Sequence, residues 1–202
     1  MSKTSDNTAV LRITLPEVSP SPWREVEVRL SMNLKKLHDT IQAIFGWYDY
    51  HLWEFDVNEK RYGPPQDQEW GEEKVLLAQN LKLEKLIKDD VRSFLYVYDF
   101  GDHWVHHIEI FSTAYVDDTD MRLPRFIKGE YRAPPEDIGG PPGYEYFLKE
   151  ILPNPNHPER ECYEHLINDP LEGAFDINDI QPDVIRGLLG RVARKRPKSR
   201  AA

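Results

Sequence analysis

Histidines and carboxylates crowd one stretch of the chain. Asp99, Asp102, His103, His106, His107 and Glu109 share it with Tyr96, Tyr98 and Trp104. Imidazole and carboxylate groups serve both divalent-metal and general acid–base sites, so a metal-dependent hydrolase is the sharpest enzymatic reading. Strand geometry opposes it. On a strand His106 and His107 point to opposite faces, and His103 and His107 lie ~13 Å apart, whereas zinc wants its ligands ~2.0–2.3 Å from one point. Only His107 and Glu109 are same-face neighbours, ~7 Å apart at the backbone. A set drawn from several elements is better placed: His51, Asp99 and Asp102, His106, and Glu136 with Asp137. The favoured reading of that set is structural, with Asp102, His106 and Tyr98 satisfying one another, because a buried polar group left unbonded costs ~1–3 kcal/mol. No His-Glu-x-x-His or paired-cysteine motif supports a metal, and no metal or other cofactor is expected. Cys162, the single cysteine, sits mid-helix without an activating neighbour. No glycine-rich phosphate loop or Gly-x-Ser-x-Gly is present.

These groups need elements to hold them. Residues 10–15 alternate apolar and polar up to Pro16, and Trp23 to Leu30 alternate again, with a register slip expected near Arg24 and Glu25. In this reading Trp23 packs, and Arg24 pairs with an acid. Ser31 or Asn33 can cap a helix carrying Leu34, Leu37, Ile41, Ile44 and Phe45, with Gly46 just past its end. His38 on that helix reads as a core-edge histidine bonded to a strand carbonyl. His51 to Val57 form a strand, residues 62–74 a loop, and Asn80 caps a short helix with Leu83, Leu86 and Ile87. Val91 to Ile110 make a hairpin. A loop of Asp99, Phe100 and Gly101 would place Gly101 at positive φ and pair Tyr98 with Asp102. One face then holds Phe94, Tyr96, Tyr98, Trp104, His106, Ile108 and Ile110. Residues 132–143 are a stiff loop in which Gly139 and Gly140, flanked by proline, make a turn. Helices are expected over 144–152, 158–167 and 182–192.

The order is that of an α+β fold: a mixed or antiparallel sheet packed on one main helix, β-grasp-like, with a C-terminal loop-and-helix segment. It divides into a core at 9–112, a covering segment at 113–192 and a basic flexible tail at 193–202.

The run from Tyr98 through Asp99, Phe100, Gly101, Asp102 and Trp104 to His106 resembles the signature of the Ri-plasmid ORF-3-like family, passenger proteins of plasmids and insertion elements. Pro22 to Arg24, Leu37 to Asp39, Phe45 to Trp47, His51 and Leu52 with Phe55, Pro134 to Tyr144, and Asn156 to Glu159 extend the likeness in order from about Leu11 to Leu189. The resemblance carries no established activity. A resolvase label attached to one transposon passenger is not inherited, since no serine- or tyrosine-recombinase motif is visible. Ala133 stands where family members often carry cysteine, which rules out a thiol role there.

Composition sets the remaining bounds. The net charge is −9, while the chain from Arg191 onward carries Arg191, Arg194, Lys195, Arg196, Lys198 and Arg200 and no acid. An acidic body repels nucleic acid, although the basic tail offers a weak contact. No apolar run is long enough for a membrane span or resembles a signal peptide, and a single cysteine agrees with a reducing compartment, so the cytoplasm is expected. The expected function is a non-enzymatic binding or interaction module for an unknown protein or small ligand. A metal-dependent hydrolase and accessory nucleic-acid binding are the alternatives.

Overall fold

The computed structural model describes residues 7–65, 75–117, 122–169 and 173–194. The protein is mixed α+β. Its main sheet has 8 strands in the order β5-β4-β3-β6-β7-β1-β2-β8. These are β1 (Thr8–Thr14), β2 (Trp23–Arg29), β3 (Trp53–Val57), β4 (Lys60–Gly63), β5 (Leu76–Leu77), β6 (Ser93–Tyr98), β7 (Trp104–Ala114) and β8 (Arg125–Glu130). All neighbours are antiparallel except β4 and β5. The helices are α1 (Leu34–Phe45), α2 (Leu83–Lys88), α3 (Gly140–Tyr146), α4 (Glu164–Ile167) and α5 (Pro182–Arg194). Among the described residues no helix is long and apolar enough to cross a membrane.

Helix α1 forms where the capping chemistry placed it. Asn33 accepts a hydrogen bond from the Lys36 N–H at 2.9 Å, and Gly46 takes φ 76 just past the end. Its residues are buried almost all round, because the sheet covers one side and α5 packs on another. Asn80 makes no such cap for α2, which begins after Lys82 without a side-chain bond. Strand β8, the four-residue β4 and the two-residue β5 were not foreseen, and β8 extends the main sheet from the segment expected to lie beyond it. Helix α3 begins at Gly140, with prolines in its first turn, and not at Tyr144.

The topology departs from a β-grasp in one respect. There the first and last core strands meet in parallel, whereas β7 runs antiparallel to β1. The physical reason is β6. It stands between β3 and β7, and each hairpin reverses the chain once more before β7 reaches β1.

Two register expectations change. In β2, Arg24, Val26 and Val28 face the core, while Trp23, Glu25 and Glu27 lie on the opposite face, where Glu25 and Glu27 are also buried, paired with Arg12 and Arg125. Pairing of β2 with β1 is unbroken, and the irregularity falls between Glu25 and Val26 on the β8 side. In the hairpin, Tyr98 faces Trp104 and Tyr96 faces His106. The loop is therefore 99–103, two residues longer than expected, closed by the His103 N–H donating to the Asp99 carbonyl at 2.6 Å. Positive φ falls on Asp99 (57) and His103 (58) and not on Gly101. The expected core face nonetheless survives. A register change of two residues preserves side-chain parity, and Phe94, Tyr96, Tyr98, Trp104, His106, Ile108 and Ile110 are all buried.

Candidate functional site

One end of the sheet gathers the chemistry. Trp53 pairs with Tyr98, so the turn entering β3 and the hairpin loop 99–103 emerge side by side, joined by the Asp99 N–H donating to the Leu52 carbonyl at 2.9 Å. The proline-glycine loop docks on both. Trp47 donates from Nε1 to the Pro134 carbonyl at 2.9 Å, and the Tyr48 N–H donates to Glu136 Oε1 at 2.8 Å. The Gly139 N–H donates to Asp102 Oδ2 at 3.1 Å. Gly140 has φ +69, and a Cβ there would stand 2.5 Å from the Asp102 carbonyl oxygen, so only glycine allows this approach. The signature hairpin and the proline-glycine loop are thus two halves of one joint.

At that joint four expected residues converge. His51 Nε2 lies 3.1 Å from Asp137 Oδ1, 3.6 Å from Asp99 Oδ2 and 3.8 Å from Glu136 Oε2. None of these is a well-formed hydrogen bond: His51 Nε2 and Glu136 Oε2 are both out of contact with solvent and without a bonding partner. The far oxygens are committed to the frame. Asp99 Oδ1 accepts from the Gly101 N–H at 2.9 Å, and Glu136 Oε1 accepts from Tyr48 and from the Tyr98 hydroxyl at 3.0 Å. Burial raises the Glu136 carboxyl pKa, against the pull of its Tyr48 and Tyr98 bonds. Burial likewise raises the Tyr98 phenol, and the neighbouring Glu136 charge adds to it. Around the cluster stand solvent-exposed Tyr48 and Tyr50, stacked at 5.6 Å between ring centroids, with Leu52 and Phe100.

The other two members of the expected set stay out. Asp102 serves the glycine turn. His106 is fully buried, its Nδ1 directed at the Trp104 carbonyl at 3.1 Å, boxed by Phe45, Trp47 and Tyr96. Burial holds its imidazole pKa down at about 3. The expected Asp102–His106–Tyr98 lock is therefore replaced by three separate tethers, since the added loop residues carry Asp102 away from β7.

His38 meets no strand carbonyl. Its Nδ1 is 2.7 Å from the Tyr96 hydroxyl and its Nε2 2.8 Å from Asp49 Oδ1, while Gln42 Nε2 donates to the same hydroxyl. The ring stacks on Trp53 at 4.0 Å. Burial lowers its pKa, partly offset by Asp49. Arg24 pairs with carbonyls and not with an acid: Nε donates to Ile44 at 3.1 Å, and Nη1 to Trp23 and Glu130 at 2.8 Å each. A planar guanidinium there satisfies a carbonyl in the last turn of α1, and its burial lowers its pKa to about 10. Trp23 lies on the open face, under the Arg12 guanidinium at 4.4 Å.

Sequence reasoning missed a cavity of about 660 Å³ beside the cluster. The end of α1, the proline-glycine loop, α4 and α5 line this half-open space, and Glu136 and Asp137 contribute to its wall as well as to the cluster. No periodic signal announces a space between segments so far apart in the chain. The basic residues 195–202 lie outside the described residues.

The family described as plasmid pRiA4b ORF-3-like protein matches residues 7–184. An uncharacterized protein of Sinorhizobium fredii (strain NBRC 101917 / NGR234), y4hQ, is 38% identical over 148 residues, 73% of this chain and 74% of that relative. The crystal structure of a protein of unknown function from Methanosarcina mazei Go1, MM3350, superposes with a TM-score of 0.75 at 28% identity, covering 89% of this chain and 98% of the other.

Proposed function

The chain belongs to the plasmid pRiA4b ORF-3-like family, and from that premise we propose that it is a non-enzymatic binding module for a small ligand, received at the joint between hairpin tip and proline-glycine loop. The observation that carries this reading is the pairing of a cavity with unsatisfied polar atoms at its edge. Buried polar groups are bonded almost everywhere in folded proteins, so His51 Nε2 and Glu136 Oε2 side by side without partners mark a place built for something else to complete. The volume falls inside the roughly 300–1,000 Å³ typical of small-molecule sites, and the wall mixes apolar side chains with polar ones such as Arg132, His165 and Gln181. Phe45, Phe175, Ile185 and Leu188 would meet the ligand's apolar body, and the cluster its polar end. Tyr48 and Tyr50 offer aromatic faces at the same end of the sheet.

The test is a ligand-observed NMR screen of small aliphatic and aromatic amines and carboxylates against the wild type and Leu188→Trp, which narrows the cavity from α5. Fragments that bind the wild type and are lost in the variant support the reading. No binding at millimolar concentration, or binding indifferent to Leu188→Trp, overturns it.

A further inference from the structure

We propose that His51, Asp99, Glu136 and Asp137 form a binding site for one divalent first-row transition-metal ion; this rests on the reading above only in that the ion would serve as the polar anchor of the ligand site. The distances carry the argument. If the imidazole and carboxylates bound one another directly, charge-assisted hydrogen bonds of ~2.7–2.9 Å would be expected. The observed separations from His51 Nε2 are 3.1, 3.6 and 3.8 Å. Donor atoms each ~2.1 Å from a common ion stand ~3.0–3.4 Å from one another, the edges of an octahedron or tetrahedron. The donors of His51, Asp99 and Asp137 all lie within 4.8 Å of one another, so small side-chain rotations bring these three together, and Glu136 Oε2, 3.8 Å from His51 Nε2, would be the fourth and outermost ligand.

Three further features point the same way. The Asp99 and Glu136 side chains are only 10% and 11% exposed, and each directs one oxygen at His51 that the frame leaves unused. Their other oxygens are anchored by Gly101, Tyr48 and Tyr98, the outer bonds that hold metal ligands in orientation. Asp137 is 71% exposed and lies at the open side, where an ion would enter. Three carboxylates and one imidazole give a charge of −3 with a nitrogen donor. That set favours manganese, iron or zinc over magnesium and calcium, which prefer oxygen alone.

The second histidine–carboxylate group, His38 with Asp39 and Asp49, is not such a site. Both His38 nitrogens are already taken at 2.7 and 2.8 Å, and the ring is wholly buried.

The full chain, stripped with chelator, is titrated calorimetrically with Mn²⁺ and Zn²⁺, and separately with Mg²⁺. The expectation is one Mn²⁺ or Zn²⁺ per chain at about micromolar affinity or tighter, with Mg²⁺ at least about 10-fold weaker. His51→Ala should weaken binding by on the order of 100-fold. Asp137→Asn, at an exposed position that leaves the fold intact, should weaken it by on the order of 10-fold. No saturable binding below millimolar, or wild-type affinity in both variants, overturns the proposal. The Leu188→Trp fragment screen without metal reports on the cavity alone, so loss of one result does not imply loss of the other.

Discussion

His38 and His51 each stand beside aspartates, one beneath the sheet and one at its end, and their surroundings could hardly differ more. His38 has both ring nitrogens bonded, a hydroxyl shared with Gln42 and a face stacked on Trp53. His51 has a nitrogen enclosed by three carboxylates and bonded to none. In the first region His38 and Tyr96 are buried with their polar atoms completed, and the network ties the turn before β3 to α1 and β6. In the second the same residue types are held apart by loops that dock elsewhere. A satisfied buried network specifies a fold, whereas an unsatisfied convergent one calls for a partner, which is the basis of the ligand and ion proposals.

The contrast breaks most sharply on mutation. His38→Ala should cost about 3–4 kcal/mol, from the lost buried ring stacked on Trp53 and one of the two partners of the Tyr96 hydroxyl, whereas His51→Ala should cost less than about 1 kcal/mol in metal-free protein. Urea unfolding monitored by tryptophan fluorescence checks both. Equal losses would erase the distinction between the regions.

The regions should also titrate with opposite sign. His38 and His106 are held below the ordinary imidazole pKa by burial, so their share of stability is complete above the unfolded value of about 6.5 and is lost as pH falls toward their folded values. Each then contributes up to about 1.4 kcal/mol per pH unit of acidification. Glu136, raised by burial, contributes most below the unfolded carboxyl value and loses its share as pH rises through the folded one. Urea midpoints from pH 7 to 5 should therefore fall less steeply in His38→Gln than in wild type. The difference between Glu136→Gln and wild type should move in the variant's favour from pH 4 to 7. A wild-type slope in His38→Gln, or a reversed trend for Glu136, would show that the groups do not differ in this way.

The smallest effect concerns the hairpin loop that supplies Asp99 to the open cluster. His103 sits at φ +58, so His103→Gly should raise stability by about 0.5 kcal/mol, strain relief slightly exceeding the entropy of glycine. Gly101 needs no positive φ, and a Cβ there would touch Asp99 Oδ1 at 3.2 Å, so Gly101→Ala should cost at most about 1 kcal/mol. Differential calorimetry distinguishes this from the shorter loop, in which Gly101→Ala would be the costlier change and His103→Gly destabilising.

Much of the scaffold was legible in the chain itself. Apolar alternation marked which face of β6 and β7 is buried, and Asn33 and Gly46 marked both ends of α1, because period and capping act between residues close in sequence. The sequence offered a wider set, His51, Asp99, Asp102, His106, Glu136 and Asp137, favoured as structural, without separating the four that converge from the two that do not. What the sequence could not decide was closure. The loop 99–103 took two more residues than its glycine suggested, since turn type depends on which pairs the flanking strands make. Arg24 entered the core because carbonyls at the end of α1 awaited it, a demand created only once helix and sheet meet. Whether His106 or His51 joined the carboxylates turned on where the proline-glycine loop came to rest. That resting place is set by Gly140 against Asp102, residues far apart in the chain, and such contacts exist only in the folded molecule.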